Sequence, residues 1–234
     1  FRLDDRVVKF IPEFSASPRN KITLAQLLTH VSGLPDQLPE NQALRKRHAK
    51  LAEFVEAAVR TPLLFDPGTR YSYSSMGILL ASEVARRITG TDFLEFADRA
   101  VFRPLEMKHS AMGLGRFKLE DVVHNQVEKA APESGSGDPS AKEWDWNSPY
   151  WRNLASPWGG AHATARDLAT FLEAFASTGG QVLPKGPRTP SCSPGSAAQI
   201  ARVAAPTART VCPRRSPAPP PPLTEIGTSP APKA

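Results

Sequence analysis

Residues 67–90 read PGTRYSYSSMGILLASEVARRITG, a turn, a polar approach and one strongly apolar helix. Asp66-Pro67-Gly68 has the composition of a reverse turn: proline presets one φ and glycine is free to take a positive one. Tyr71-Ser72-Tyr73-Ser74-Ser75 then leads into a helix over about 75–88. Ile78, Leu79, Ala81, Val84, Ala85 and Ile88 cover most of its circumference, which predicts a centrally buried helix. Gly90 is the expected stop.

Helical signals continue on both sides. Upstream, Thr23 and Gln26 form a capping-box pair ahead of a helix with Leu24, Leu27, Leu28 and Val31 on one face, ended by Gly33. A second helix is expected over about 48–60, with Leu51, Phe54, Val55 and Ala58 at helical spacing and Thr61-Pro62 as its exit. Residues 1–14 read as a connecting segment anchored by Leu3, Val7, Val8, Phe10 and Ile11. Downstream, a helix from Thr91 to about Val101 turns Phe93, Phe96 and Ala97 inward and is closed by Pro104. Residues 117–150 are weakly patterned, with a turn-rich loop at Ser134–Pro139. Trp144, Trp146, Tyr150, Trp151 and Trp158 follow, able either to line an acyl-group pocket or to pack under a long loop. The last helix opens with the pair Thr164 and Asp167 and carries Leu168, Phe171, Leu172 and Phe175. No internal repeat is visible.

Charge and composition separate a body from a tail. The chain of 234 residues has 29 Lys+Arg and 23 Asp+Glu, but seven basic residues and one acid lie from Pro184 onward, leaving 22 of each before it. The basic excess therefore belongs to the tail, and nucleic acid is not the expected partner of the body. Thirteen of the 24 prolines also fall there, with no Phe, Trp or Tyr. Such a segment buries too little apolar surface to offset chain entropy, so residues 185–234 are expected to be disordered. A genuine Pro-rich interaction tail, with Pro219–Pro222 as a polyproline II segment, and a reading-frame slip both fit that composition. Cys192 and Cys212 lie in the tail, so the body offers no Cys-based metal site, thiol nucleophile or disulfide. His109, His124 and His162 are scattered, without metal-binding spacing. No run of about 18 apolar residues occurs, so no membrane span is expected.

Five stretches occur in an order and spacing that resemble one family: LDDRVVKFIPEF (3–14), LLTHVSGLPD (27–36), PGTRYSYSSMGILLASEVARRITG (67–90), FADRAVFRPLEMKHSAM (96–112) and WGGAHATARDLATFLEAF (158–175). Over residues 1–184 the chain resembles the β-lactamase-related serine hydrolases, which include class C β-lactamases, D-alanyl-D-alanine carboxypeptidases and related esterases. The resemblance implies an α+β domain in which helices surround an antiparallel sheet built from strands at both ends. These residues correspond to its mostly helical middle, so the expectation is mostly α, with little sheet and with apolar faces left exposed.

The chemistry implied is acyl transfer to a serine, on a small-molecule ester, amide or β-lactam, with no cofactor. A serine hydroxyl needs a neighbouring base; the family places serine and lysine one helical turn apart in Ser-x-x-Lys, so that they share a face. By the resemblance, the family's Tyr-x-Asn falls on Tyr73-Ser74-Ser75, making Tyr73 the general acid/base residue, with Tyr71 the alternative if the register slips. Ser75 stands where asparagine is usual, which suits an ester better than a β-lactam amide. His30 is expected as a structural cap at a helix C-terminus, and Gly159-Gly160 as a tight backbone turn. No serine in the chain is followed three residues later by lysine. The nucleophile is expected upstream of Phe1, and the chain as written is expected to be inactive. The alternative is a non-catalytic binding module or remnant with a basic Pro-rich tail.

Overall fold

The computed structural model describes residues 1–177; the tail expected at 185–234 lies outside the described residues. Seven α-helices carry the described fold: α1 Leu24–Leu28, α2 Asn41–Lys46, α3 Leu51–Arg60, α4 Ser75–Thr89, α5 Phe93–Ala97, α6 Pro149–Leu154 and α7 Ala165–Ser177. The sheet among them has two short antiparallel strands, β1 Ala111–Met112 and β2 Ala161–His162, with Ala111 opposite His162. The mostly helical reading holds.

α4 is the central element, as its apolar circumference predicts. Met76, Leu79 and Leu80 are fully buried, in a cluster with Val7, Ile11 and Phe14 from the opening segment, Leu27 from α1 and Phe54 from α3. Ser74 caps its N-terminus by accepting from the Gly77 N–H, and Gly90 ends it in the left-handed conformation. Gly77 lets α1 approach: a Cβ there would lie 2.8 Å from the Leu27 carbonyl oxygen. Ile88, however, is exposed, together with the rest of the last turn, residues 86–89.

The capping box of α1 forms as expected, Gln26 N–H to Thr23 Oγ1 and Thr23 N–H to Gln26 Oε1. Further N-terminal donors of the helix are taken by the opening segment: Leu24 N–H bonds Asp5 O, and Ala25 N–H bonds Leu3 O. The helix ends earlier than the position of Gly33 suggests. His30 takes the left-handed conformation at φ 59°, and Val31 N–H returns to Gln26 O, a Schellman closure with histidine in the usual glycine position. Leu28 consequently faces outward.

Other boundaries move for local reasons. His48 has a positive φ and Lys50 is extended, so α3 begins at Leu51 and not at 48. The polar α2, which has no apolar periodicity, precedes it. The helix expected at 91–101 starts after Asp92, whose carboxylate accepts from Glu95 N–H, and passes into a π-helical turn at Asp98–Phe102. In α7, Leu168 and Leu172 are 50% and 58% exposed, which agrees with the expected open apolar faces.

Candidate active site

The polar approach to α4 is bound to the loop that follows α1, residue against residue. Leu64 N–H bonds Gly33 O, Gly68 N–H bonds Val31 O, and Ser72 N–H bonds His30 O. Gly33 makes this possible: its φ is 84°, and a Cβ there would lie 2.3 Å from the Phe65 carbonyl oxygen. Only glycine fits that approach. The Asp66–Thr69 turn closes with Thr69 N–H on Asp66 O.

This ladder fixes Tyr73. On its C-terminal side, Ser74 N–H donates to His30 Nδ1 at 3.2 Å, and Ser74 Oγ donates to Pro35 O. The Tyr73 ring lies 4.7 Å from the His30 ring, and Tyr71 meets the same imidazole edge-on at 6.0 Å. Tyr73 is 52% exposed, and among the described residues its phenol oxygen has no hydrogen-bond partner. Its backbone is held while its hydroxyl is open to solvent.

Ser75 faces the other way. It is buried, with its N–H and Oγ both donating to Asp36 Oδ1, at 3.0 and 2.5 Å. The Asp36 carboxylate thus sits at the N-terminus of α4, where the helix dipole favours negative charge. Sequence reading missed Asp36; its signal was an acid in the loop that must cap a long helix. Ser32 is likewise buried, accepting from Leu34 N–H. The hydroxyls of Ser32 and Ser74 therefore serve the backbone, and that of Ser75 serves the Asp36 carboxylate.

His30 works differently from a simple cap. Its ring joins the loop after α1 to the start of α4, and its backbone, not its side chain, closes α1. The two tight-turn glycines also differ. A Cβ on Gly160 would lie 2.6 Å from Ser156 N and 2.7 Å from Ala155 C, whereas one on Gly159 would meet nothing. Gly160 O accepts from Gly113 N–H at 2.7 Å, which ties the turn to the end of β1.

Two buried networks hold that second region. Asp167 meets Thr164 only through its backbone N–H, which donates to Thr164 Oγ1; its carboxylate accepts instead from His109 N–H and Ser110 Oγ, at 2.7 and 2.8 Å. Arg152 bonds His162 Nε2, Val123 O and Asn147 Oδ1. Burial, and then the Arg152 charge, push the His162 imidazole below its ordinary value. Neutral His162 accepts at Nε2 and so carries its proton on Nδ1. The tryptophans pack: Trp158 lies against Phe54 and Trp151, and Trp144 and Trp151 enclose Arg45. No group of three or more His, Cys, Asp or Glu that could hold a metal occurs among the described residues. Nor is any described helix long and apolar enough to cross a membrane.

The family model for Beta-lactamase matches residues 1–206. A protein of Escherichia coli (strain K12) that provisionally carries the name D-alanyl-D-alanine carboxypeptidase is 24% identical over 195 residues, covering 76% of this chain and 45% of its own length. Protein flp of Staphylococcus aureus (strain MW2) is 25% identical over 152 residues, covering 63% of this chain and 30% of its own. The chain thus spans less than half the length of these relatives. Among solved structures, the D-amino acid amidase of Ochrobactrum anthropi SV3 in complex with D-phenylalanine superimposes with a TM-score of 0.60 at 26% identity, covering 79% of this chain and 51% of its own. A family VIII carboxylesterase does so with a TM-score of 0.54 at 23% identity, covering 75% and 48%.

Proposed function

The chain belongs to the beta-lactamase family, and on that premise we propose that it is the Tyr73-bearing part of a serine hydrolase that cleaves an ester or amide through an acyl-enzyme. One observation carries this reading: Tyr73 is locked by its neighbours' backbone bonds at the N-terminus of α4 while its phenol stays open. A residue that moves protons in a transition state needs that combination, because misplacement by even about 1 Å costs on the order of 10²-fold in rate.

In the proposed reaction a serine hydroxyl attacks the substrate carbonyl and loses its proton to a neighbouring base. The Tyr73 phenol then hands a proton to the departing alkoxide or amine, leaving an acyl-serine. Water repeats the sequence in reverse, releases the acid and regenerates the serine. The 234 residues contain no Ser-x-x-Lys, so the nucleophile and its lysine are assigned to sequence outside them. By itself the chain does not form an acyl-enzyme.

Ser75 narrows the substrate. Its short side chain is bound to Asp36, so it offers no amide to a β-lactam or peptide. That favours an ester, or an amide recognised elsewhere. The names of the relatives cover a carboxypeptidase, an amidase and a carboxylesterase, and acyl transfer is the chemistry they share.

Labelling with a fluorescent fluorophosphonate and a fluorescent penicillin tests the proposal. The 234-residue chain should take neither label, and a protein extended by its upstream coding sequence should take the fluorophosphonate. Labelling of the chain alone, or none in the extended protein, would refute it.

A further inference from the structure

Arg45, on α2, is 1% exposed. Its guanidinium lies 3.9 Å from the Trp151 ring and 5.3 Å from the Trp144 ring. Among the described residues, neither Nε nor Nη2 has a hydrogen-bond partner, and no carboxylate is within ion-pair distance. Tyr150, Glu133 and Asp145 act on its charge only from further away. Burial lowers its pKa to about 10, which leaves the group cationic at neutral pH. The two indoles offset part of the cost of desolvating that cation. They do nothing for the unmade hydrogen bonds in the plane of the guanidinium.

The two orphaned donors are a matched pair. Nε–H and Nη2–H project from one edge of the guanidinium, the edge that takes both oxygens of a carboxylate. The same chain shows that geometry in use: Arg86 holds Glu83 through Nε and Nη2, at 2.7 and 2.8 Å. Neighbouring cations are already occupied, Lys46 by Asp138 and Arg47 by Glu53. Arg45 alone on α2 presents a buried, unfilled fork.

An open cleft of about 780 Å³ lies alongside, lined by His48, Ala49, Lys50, Lys142, Glu143 and Tyr150 among others. Along the chain, Arg45 lies three residues from His48 of this lining, Trp144 next to Glu143, and Trp151 next to Tyr150. None of residues 30–36 or 71–75 lines it. Lys50 and Lys142 favour an approaching anion, with Glu143 as the opposing charge. Tyr150 forms part of the wall, stacked on His48 at 4.5 Å and donating from its hydroxyl to Ala49 O.

We propose that Arg45 is the anchor of a carboxylate-binding site, separate from the Tyr73 site, in which a small organic acid is held bidentately at the Nε/Nη2 edge between the Trp144 and Trp151 rings. The Tyr150–His48 pair is the side from which it enters. The indole faces leave only the in-plane edge available, which selects a planar oxyanion over a spherical one.

Sodium acetate is the probe, titrated into the full chain against sodium chloride at matched ionic strength. Acetate should raise the thermal midpoint saturably by a few degrees beyond chloride, and Arg45→Met should abolish that increment. A second readout is independent of whether the variant folds. The arginine Nε–H resonance that shows contacts to both indoles should shift on acetate addition in the wild-type chain. Equal effects of acetate and chloride, or an acetate increment that survives Arg45→Met, would overturn the site. So would an Nε–H resonance indifferent to acetate but moved by Glu133→Gln, which would give the fork to the chain's own carboxylate.

Discussion

His30 Nδ1 accepts the backbone N–H of Ser74 at 3.2 Å, so the residue whose backbone closes α1 holds the start of α4 through its imidazole. In the neutral ring this acceptor role leaves the proton on Nε2. The same residue sits at φ 59°, a conformation that asparagine tolerates better than alanine.

His30→Ala removes the acceptor and strains the backbone, and should cost about 1–3 kcal/mol. His30→Asn keeps a short polar group and the left-handed preference, and should cost less. Urea unfolding of both variants checks the order. Equal losses would mean that the ring contributes packing alone.

Gly159 and Gly160 separate in the same experiment. Gly160→Ala forces a Cβ into the Ser156 and Ala155 backbone and should destabilise by about 2 kcal/mol or more. Gly159→Ala meets nothing and should stay within about 0.5 kcal/mol of the parent.

The pH dependence of stability should carry a His162 signature. Its folded pKa lies below the ordinary 6.5, so the unfolded chain binds the proton more readily. The stabilisation is complete above the unfolded value and is lost as pH falls from about 6.5 toward the folded one. His162→Gln retains an acceptor for Arg152 and should flatten the slope of stability between about pH 7 and 5. An unchanged slope would assign it to other groups.

Glu83 should be costly to neutralise. Burial raises its pKa, but hydrogen bonds from Arg86 and Arg87 outweigh this and hold the carboxyl below its ordinary value. Arg87 also reaches Glu13 and Phe10 O, so the network fastens α4 to the opening segment. Glu83→Gln should cost about 1.5–3 kcal/mol at pH 7. The difference from wild type should shrink as pH drops through the carboxylate range, where the native side chain protonates too.

Local signals were legible in the sequence, and cross-chain ones were not. The extent of α4, its Gly90 stop and the Thr23–Gln26 box follow from residues within one or two turns of each other. α2 escaped because Asn41–Lys46 has no apolar period, and its one buried cation gives no sign of burial. Asp167 reads as half of a capping pair, yet its carboxylate serves His109 and Ser110, some 57 residues away. The proposal for Tyr73 rests on its motif context, whereas the contacts of His30 and Asp36 with its neighbours Ser74 and Ser75 depend on a loop packed against them from about 40 residues upstream. Spacing along the chain carries no trace of such a pairing.

In the proposed mechanism Tyr73 moves the proton in acyl transfer. The most direct test is the rate of serine acylation by a p-nitrophenyl ester in the extended protein, compared among wild type, Tyr73→Phe and Tyr71→Phe. Tyr73→Phe should slow acylation by about 10²–10⁴-fold, with unchanged folding by circular dichroism, while Tyr71→Phe stays near the wild-type rate. Acylation of Tyr73→Phe at the wild-type rate would contradict it.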